Sequence, residues 1–254
     1  MRRVVVKVGS AVLTQYDAIA LQRMRNLVDF LAELRKENEV ILVSSGAVAA
    51  GYTALRLDRA ILQNKQALAS IGQPILMNKY AKKFAEHNIL TAQVLVTAAN
   101  FNDDDECRRV KDTVDTLLSN GVIPIINEND ATTTKELVVG DNDQLSAYVA
   151  KHTASSLLII LSDIDAYYDK DPRKFSDAKI LKIVNSIDAD ELEKEANPNS
   201  AFATGGILTK LKAANYLLAH KIDMVLTSGY DLSSIKTLML EGKHTGGTLF
   251  TRDM

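Results

Sequence analysis

Residues 122–143 read VIPIINENDATTTKELVVGDND, and the apolar run that opens this stretch is the kind of segment that decides the fold. Val122–Ile126 does not alternate apolar and polar residues, so we expect a strand that is buried on both faces. Similar runs recur along the chain, with helical patterns between them. The other predicted strands are Val4–Val8, Val40–Val43, Ile89–Val96, Leu157–Leu161, Ile180–Val184, Ile222–Leu226 and Thr248–Phe250.

Helical periodicity fills the segments between these strands. A long helical region is predicted at about residues 59–87, with a bend expected near Pro74. The remaining predicted helices are 21–34, Ala47–Leu55, Asp104–Ser119, Leu145–His152, Thr209–His220 and Ser233–Leu240. Helices on both sides of buried parallel strands define the predicted fold class, an α/β protein with a three-layer α/β/α sandwich and a mainly parallel central sheet.

The composition excludes several classes of protein. The chain has 254 residues, is 46% hydrophobic, and carries a net charge of −2, which provides no general electrostatic footprint for nucleic acid or a membrane surface. Cys107 is the single cysteine, so neither an intrachain disulfide framework nor a cysteine metal cluster is available. The apolar runs are too short for a signal peptide or a membrane span, and a cytoplasmic location is the expectation.

Two groups of carboxylates and amides bracket the connector of the opening stretch. Asn127–Asp130 follows the predicted strand, and Asp141–Asp143 follows Gly140. Burying such groups without partners costs about 1–3 kcal/mol each, so a polar ligand is one explanation for them. A solvated turn followed by a helix cap is the other, because Asp and Asn suit both positions.

Polar residues also follow other predicted strands, at the edge where open α/β sheets bind their ligands. Lys7 leads into Val8-Gly9-Ser10, Ser45 lies in a Ser-Ser-Gly turn, and Ser162-Asp163 ends another strand. Residues 203–210, ATGGILTK, place a Gly-Gly turn before a helix, where backbone N–H groups can approach a phosphate. The chain contains neither a P-loop nor a G-x-G-x-x-G motif, so this turn is a weak signal by itself.

Lys7 and Lys210 suggest a more specific chemistry when they are considered together. Two lysines without a P-loop can flank a phosphoryl group during transfer and stabilise the charge on its oxygens. Asp143 would then orient both ammonium groups. A lysine near a strand end is otherwise an ordinary solvated residue.

The motifs taken together resemble the amino acid kinase family, and within it the branch that phosphorylates glutamate. The likeness covers nearly the whole chain. It rests on Val6–Ser10, Val43–Gly51, Ile71–Gln73, Pro124–Asp130, Val139–Ala147, Asp171–Arg173 and Thr204–Lys210. Ile207 stands where this family would have Met, which we expect to be neutral.

The resemblance implies roles for individual residues. The implied catalytic residues are Lys7 and Lys210, which would stabilise the transferring phosphoryl group, and Asp143, which would hold them. Asp130 would bind the α-ammonium of glutamate, and Ser45 and the amide of Asn142 would donate to a carboxylate. The implied ATP-binding residues are Lys7, Ser162, Asp163, Thr204, Gly205, Gly206, Ile207, Leu208, Thr209 and Lys210. Tyr167 and Tyr168 are candidates for packing near the adenine, and the Thr-rich connector is a candidate flap.

The implied activity is ATP-dependent phosphorylation of the γ-carboxylate of L-glutamate to L-glutamyl 5-phosphate, the first step of proline biosynthesis. ATP and Mg²⁺ would be the cofactors, with no protein metal ligand assigned. The implied organisation is a single kinase domain over residues 1–254, with an N-terminal glutamate-binding part, an ATP-binding part from about residue 155, and no C-terminal PUA domain. Implied partners are further copies of the chain, as a dimer or tetramer, and a glutamyl phosphate reductase, but neither nucleic acid nor a membrane.

Two alternatives to glutamate phosphorylation stay open at this point. One is a sibling kinase that acts on another small acid or phosphate. The other is a sensor that binds ATP or an amino acid without turnover.

Overall fold

The computed structural model describes residues 1–132, 142–193 and 206–252, and a mainly parallel sheet lies at its centre. The strands are β1 (Arg2–Val8), β2 (Thr14–Gln15), β3 (Ala18–Ile19), β4 (Asn38–Ser44), β5 (Thr91–Val96), β6 (Ile123–Glu128), β7 (Leu157–Ser162), β8 (Ile183–Val184), β9 (Asp223–Ser228) and β10 (Thr248–Phe250). Eight of them form one sheet in the order β5-β6-β4-β1-β7-β9-β10-β8. Only the pairing of β10 with β9 is antiparallel in this sheet as described.

Helices cover both faces of the sheet. They are α1 (Ser10–Leu13), α2 (Leu21–Leu34), α3 (Ala47–Ala54), α4 (Leu62–Ala85), α5 (Asp104–Ser119), α6 (Asn142–His152), α7 (Ala189–Glu193), α8 (Gly206–Ala219) and α9 (Ser233–Glu241), and a 3₁₀ turn spans Ala98–Phe101. None of the helices in the described ranges is both long enough and apolar enough to cross a membrane.

Strand β1 shows why its apolar run does not alternate with polar residues. Val4, Val6 and Val8 pack into a core on one face together with α2. Val5 packs into a second core on the other face, together with α6 and α8. Both faces of the strand are therefore buried, and the prediction of a three-layer α/β/α sandwich is confirmed.

Most predicted elements are present, with shifted ends. The predicted strand Ile180–Val184 is reduced to β8, although Ile180 forms an isolated bridge with Tyr168. Helix α4 runs without interruption through Pro74. The sequence did not predict the hairpin of β2 and β3, and β6 extends further than expected, to Glu128.

Helices α3 and α4 approach so closely that only glycine fits at their contact. A Cβ atom on Gly51 would lie 1.9 Å from the carbonyl oxygen of Leu68, and one on Gly72 would lie 1.8 Å from that of Ala47. This contact sets the depth at which α4 lies against the sheet, and it places Gln73 beside the carboxyl ends of the strands.

Candidate active site

The carboxyl ends of three neighbouring strands form the floor of the candidate site. Strand β1 lies between β4 and β7, with Lys7 opposite Val43 on one side and Ile160 on the other. Just beyond the strands, Ser45 N–H donates to the Val8 carbonyl at 3.3 Å. The ends of β1, β4 and β7 that carry Lys7, Ser45 and Ser162 therefore meet at one edge of the sheet.

Lys7, Asp143 and Lys210 come together above this floor. Lys7 alternates with Val6 and Val8, so its side chain points to the face that α6 and α8 cover. Lys7 donates to Oδ1 of Asp143, and Lys210 donates to Oδ2 at 3.0 Å. The exposed fractions are 2% for Lys7, 0% for Asp143 and 3% for Lys210. Sequence reasoning predicted this meeting of three residues that lie far apart in the chain.

Two further contacts hold this cluster. Thr209 Oγ1 donates to Oδ2 of Asp143 at 2.9 Å, and Lys210 Nζ also donates to the carbonyl oxygen of Gly206 at 2.8 Å. Asp143 is the second residue of α6, where the helix dipole favours a negative charge. Among these three described side chains, two ammonium groups and one carboxylate give a net charge of +1, which suits a bound anion.

Ser45 and Asn142 are in direct contact. Asn142 Nδ2 donates to Ser45 Oγ at 2.8 Å and to Asn127 Oδ1 at 2.9 Å. Both N–H bonds of the Asn142 amide are therefore in use within the protein. The expectation that Asn142 donates to a ligand carboxylate stays a prediction; such a contact would have to replace or share one of these two hydrogen bonds, because an amide nitrogen has only two hydrogens.

Asp130 lies apart from that pair. It lines a cavity of about 160 Å³ together with Gln73, Gln93 and Glu128. Burial raises the pKa of Asp130, and the positive charge of Lys65 partly opposes this shift. A carboxylate in such surroundings gains from a cationic ligand, because a nearby ammonium group stabilises its charged form.

A larger cavity, of about 470 Å³, lies on the other side of the lysine cluster, at the end of β7. Asp163, Tyr168, Arg173, Gly206 and Ile207 are among its lining residues. Of the predicted nucleotide-binding residues, Asp163, Gly206 and Ile207 therefore line this cavity, and Leu208 is not among its described lining residues. Ser162 lies buried behind Asp163, to which its hydroxyl donates at 3.0 Å. Thr204 and Gly205 lie outside the described residues.

Only one of the two tyrosines that were candidates for the adenine lines this cavity. Tyr168 does so, whereas the Tyr167 ring stacks on Phe250 and its hydroxyl donates to Glu191 at 2.6 Å. Adjacent residues in extended backbone point to opposite sides, so Tyr167 faces the core.

Some functional positions received no role from the sequence. Gln73 and Asn127 hydrogen bond to each other beside Asn142, and Arg173 lines the larger cavity while it pairs with Asp171. Each belongs to a quoted motif, but the motif does not say what its side chain contacts. The connector proposed as a flap spans residues 131–140, and its residues 133–140 lie outside the described ranges.

The described ranges contain no group of three or more His, Cys, Asp or Glu side chains able to hold a metal ion. Both carboxylate oxygens of Asp143 accept hydrogen bonds from the cluster.

Comparison with known proteins identifies relatives along nearly the whole chain. The model of the amino acid kinase family matches residues 2–228. The glutamate 5-kinase of Wolinella succinogenes is 53% identical, over 99% of this chain and 98% of that protein. The glutamate 5-kinase of Leishmania donovani is 49% identical, over 98% of this chain and 95% of that protein. The glutamate 5-kinase of Caldanaerobacter subterraneus is 40% identical, over 97% of this chain and 67% of that protein.

Solved structures share the fold at low identity. An isopentenyl phosphate kinase in a substrate complex superposes with a TM-score of 0.66 at 16% identity, over 98% of this chain and 100% of that chain. Carbamate kinase from Giardia lamblia bound to AMP-PNP superposes with a TM-score of 0.67 at 15% identity, over 99% of both chains. The chain therefore belongs to the amino acid kinase family and, within it, to the family of the glutamate 5-kinases.

Proposed function

We propose that the protein transfers the γ-phosphoryl group of ATP to the γ-carboxylate of L-glutamate, giving L-glutamyl 5-phosphate in the first step of proline biosynthesis. The observation that carries the proposal is Asp143 between the buried ammonium groups of Lys7 and Lys210. This cluster lies between a polar network on one side and a nucleotide-sized cavity on the other.

The two lysines act on the phosphoryl group during its transfer. Its three equatorial oxygens carry spread negative charge in the transition state, and catalysis of this reaction is mainly positioning and electrostatic stabilisation. Lys7 reaches this group from β1 and Lys210 from α8. Asp143 keeps both ammonium groups in place before the substrate binds, so little reorganisation is needed during the reaction.

On the acceptor side, Asp130 takes the α-ammonium group of glutamate. Its partial burial supports this role, since a partly desolvated carboxylate gains from an additional cation. Ser45 accepts a hydrogen bond from Asn142, so its own hydroxyl hydrogen is directed elsewhere and donates to a carboxylate of the substrate. Asn142 takes part as the partner that orients Ser45.

On the donor side, ATP occupies the cavity at the end of β7, with its phosphates toward Gly206 and Lys210. The start of α8 favours an anion, and Tyr168 offers an aromatic face at the wall of this cavity. Mg²⁺, when bound with the nucleotide, would neutralise part of the phosphate charge. Mg²⁺ takes one or two carboxylates and keeps several waters, and Asp163 and Asp165 line this cavity, so the residues fit an ion that arrives with the nucleotide.

The remaining parts of the proposal concern organisation. The chain forms one kinase domain over residues 1–254, with glutamate bound by the N-terminal part and ATP by the part from about residue 155. The positions of Ser45, Asp130 and the larger cavity support this division. We further propose that the protein is cytoplasmic, that it forms a homo-oligomer, and that it passes the acyl phosphate to a reductase.

The test is glutamate-dependent release of ADP, with the acyl phosphate trapped as its hydroxamate by hydroxylamine. We expect turnover with L-glutamate and none with acetylglutamate, aspartate or carbamate. Turnover with one of those acids instead would favour the sibling kinase, and binding without turnover would favour the sensor.

Lys210→Met tests the catalytic role directly. It should reduce kcat far more than it raises the KM for glutamate, because the contact strengthens in the transition state. Lys212→Met is the matched control, since Lys212 is exposed on the same helix and should leave both constants unchanged. Equal effects of the two substitutions would contradict the assignment of Lys210.

A further inference from the structure

The single helical turn α1 lies directly beside the ammonium group of Lys7. It follows β1 after Gly9 alone, and a Cβ atom on Gly9 would lie 3.7 Å from Nζ of Lys7. Lys7 cannot follow a movement of this turn, because Asp143 holds its ammonium group. A shift of α1 therefore changes the space beside that group.

Arg23 on α2 closes the C-terminal end of α1. Its Nη1 donates to the carbonyl oxygens of Ala11, Val12 and Thr14, at 3.4, 3.3 and 3.2 Å. The last carbonyls of a helix have no partner within it, and a cation at that end offsets their partial negative charge. No carboxylate pairs with Arg23 in the described ranges, so its charge is directed at α1.

The loop after β9 holds the same turn. The ring centroid of Tyr230 lies 4.6 Å from Cζ of Arg23, a cation–π contact, and the Tyr230 hydroxyl donates to the Ala11 carbonyl oxygen at 3.4 Å. A helix of four residues makes too few hydrogen bonds to keep its place alone. Arg23 and Tyr230 therefore supply contacts that α1 itself lacks.

Gly229, the neighbour of Tyr230, packs so closely against the side of α1 that a side chain does not fit. A Cβ atom on Gly229 would lie 2.5 and 2.9 Å from the two methyl groups of Val12. Val12 is β-branched, so its side chain does not rotate away easily. Gly229 cannot retreat either, because its N–H donates to the Ser162 carbonyl oxygen at 2.7 Å. A side chain at position 229 would therefore displace α1.

We propose that Arg23 and Gly229 are positioning residues for phosphoryl transfer, because together they fix α1 and thereby the place of Gly9 beside the Lys7 ammonium group. Arg23 acts at the end of the turn, and Gly229 acts at its side. Neither residue lies in a motif that the sequence singled out. This inference rests on the proposed function and adds two residues that determine its rate.

The experiment measures kcat and the KM values for L-glutamate and ATP in the hydroxamate assay, at a temperature where circular dichroism shows every variant to be fully folded. Gly229→Ala introduces the Cβ atom beside Val12. The double variant Val12→Ala/Gly229→Ala removes the two methyl groups that this atom meets, and Val12→Ala alone is its reference. Arg23→Met removes the guanidinium, and Arg25→Met is the matched control, since Arg25 lies on the same helix with its side chain half exposed.

We expect Gly229→Ala to lower kcat by about tenfold to a hundredfold, since a misplacement of about 1 Å near the reacting group costs this much. Both KM values should stay within about twofold of the wild type, because the displaced turn acts on the transition state rather than on binding. Val12→Ala/Gly229→Ala should regain the kcat of Val12→Ala. Arg23→Met should lower kcat by about tenfold, the effect of losing hydrogen bonds from a charged donor, and Arg25→Met should have wild-type constants.

Four results would overturn the inference while the wild type still phosphorylates glutamate. They are an unchanged kcat in Gly229→Ala, a loss in that variant that lies wholly in the KM values, a double variant no faster than Gly229→Ala, and equal effects of Arg23→Met and Arg25→Met. Absence of glutamate turnover by the wild type would instead overturn the proposed function, and with it the positioning role that rests on it.

Discussion

Asp143→Asn is the substitution that tests the buried cluster most severely. It keeps the shape of the side chain but removes the negative charge between the ammonium groups of Lys7 and Lys210. At the 3.0 Å separation of Lys210 and Asp143, an effective dielectric constant of about 20 gives a Coulomb attraction of about 5.5 kcal/mol. Removing one partner of a buried ion pair costs about 3–5 kcal/mol, because the remaining charge stays buried. We expect a loss of stability in that range.

The measurement is the free energy of unfolding from urea denaturation at pH 7, without ligands. The exposed Asp112 on α5 provides a control of the same chemistry, and Asp112→Asn should change stability by less than about 0.5 kcal/mol. Adding Lys7→Met to Asp143→Asn removes one of the two buried ammonium charges that Asp143 pairs with. The double variant should therefore be more stable than Asp143→Asn alone.

Two results would refute this reasoning. A loss below about 1 kcal/mol for Asp143→Asn would mean that water or another group already compensates the lysines. A double variant no more stable than Asp143→Asn would mean that the buried ammonium charges left without Asp143 are not the cause of the loss.

Three other predictions follow from single contacts. Burial raises the pKa of Asp130, so the contribution of Asp130 to stability falls as the pH rises from the ordinary carboxyl range through the raised value. Without ligands, Asp130→Asn should therefore be more stable than the wild type at pH 7, and this difference should vanish at lower pH. The same substitution should raise the KM for glutamate. Gly72→Ala places a Cβ 1.8 Å from the Ala47 carbonyl oxygen, and thermal denaturation should show a loss of about 3 kcal/mol. Tyr80→Phe removes the buried 2.8 Å hydrogen bond with Ser44 and should lower the free energy of unfolding by about 1 kcal/mol, with steady-state constants unchanged.

The strands were predictable where the chain is uniformly apolar, and less so where polar side chains enter the sheet. Asn127 and Glu128 appeared to follow their strand, yet they are its last two residues. A strand accepts a buried amide when a partner satisfies it, and the partner of Asn127 is Gln73 on α4. That partner is 54 positions away and has no local signature.

The hairpin of β2 and β3 had no turn signal. Tyr16 and Asp17 both have left-handed backbone conformations, with φ of 49° and 61°. Such tight turns usually contain Asn-Gly or Asp-Gly. Without glycine at either position, the sequence did not mark a turn.

The lysine cluster was predictable because buried ammonium groups need a carboxylate close by to offset their charge. Two lysines at phosphate-facing positions need a carboxylate, and Asp143 belongs to the polar group nearest a helix start. Which atoms of Asn142 face the ligand was not predictable, since an amide offers both a donor and an acceptor. That choice is made by Asn127, whose own orientation depends on a backbone contact.

The backbone N–H of Glu128 has a consequence for how this protein can change during evolution or engineering. Substitution of Gln73 or Asn142 can weaken the contacts of the Asn127 amide, but the backbone donor that faces its oxygen survives every replacement at position 128 except proline. As long as Asn127 is kept, its oxygen therefore faces both this N–H and the Asn142 amide, whatever side chain stands at position 128. A change in the polarity of this contact requires a substitution at position 127 itself.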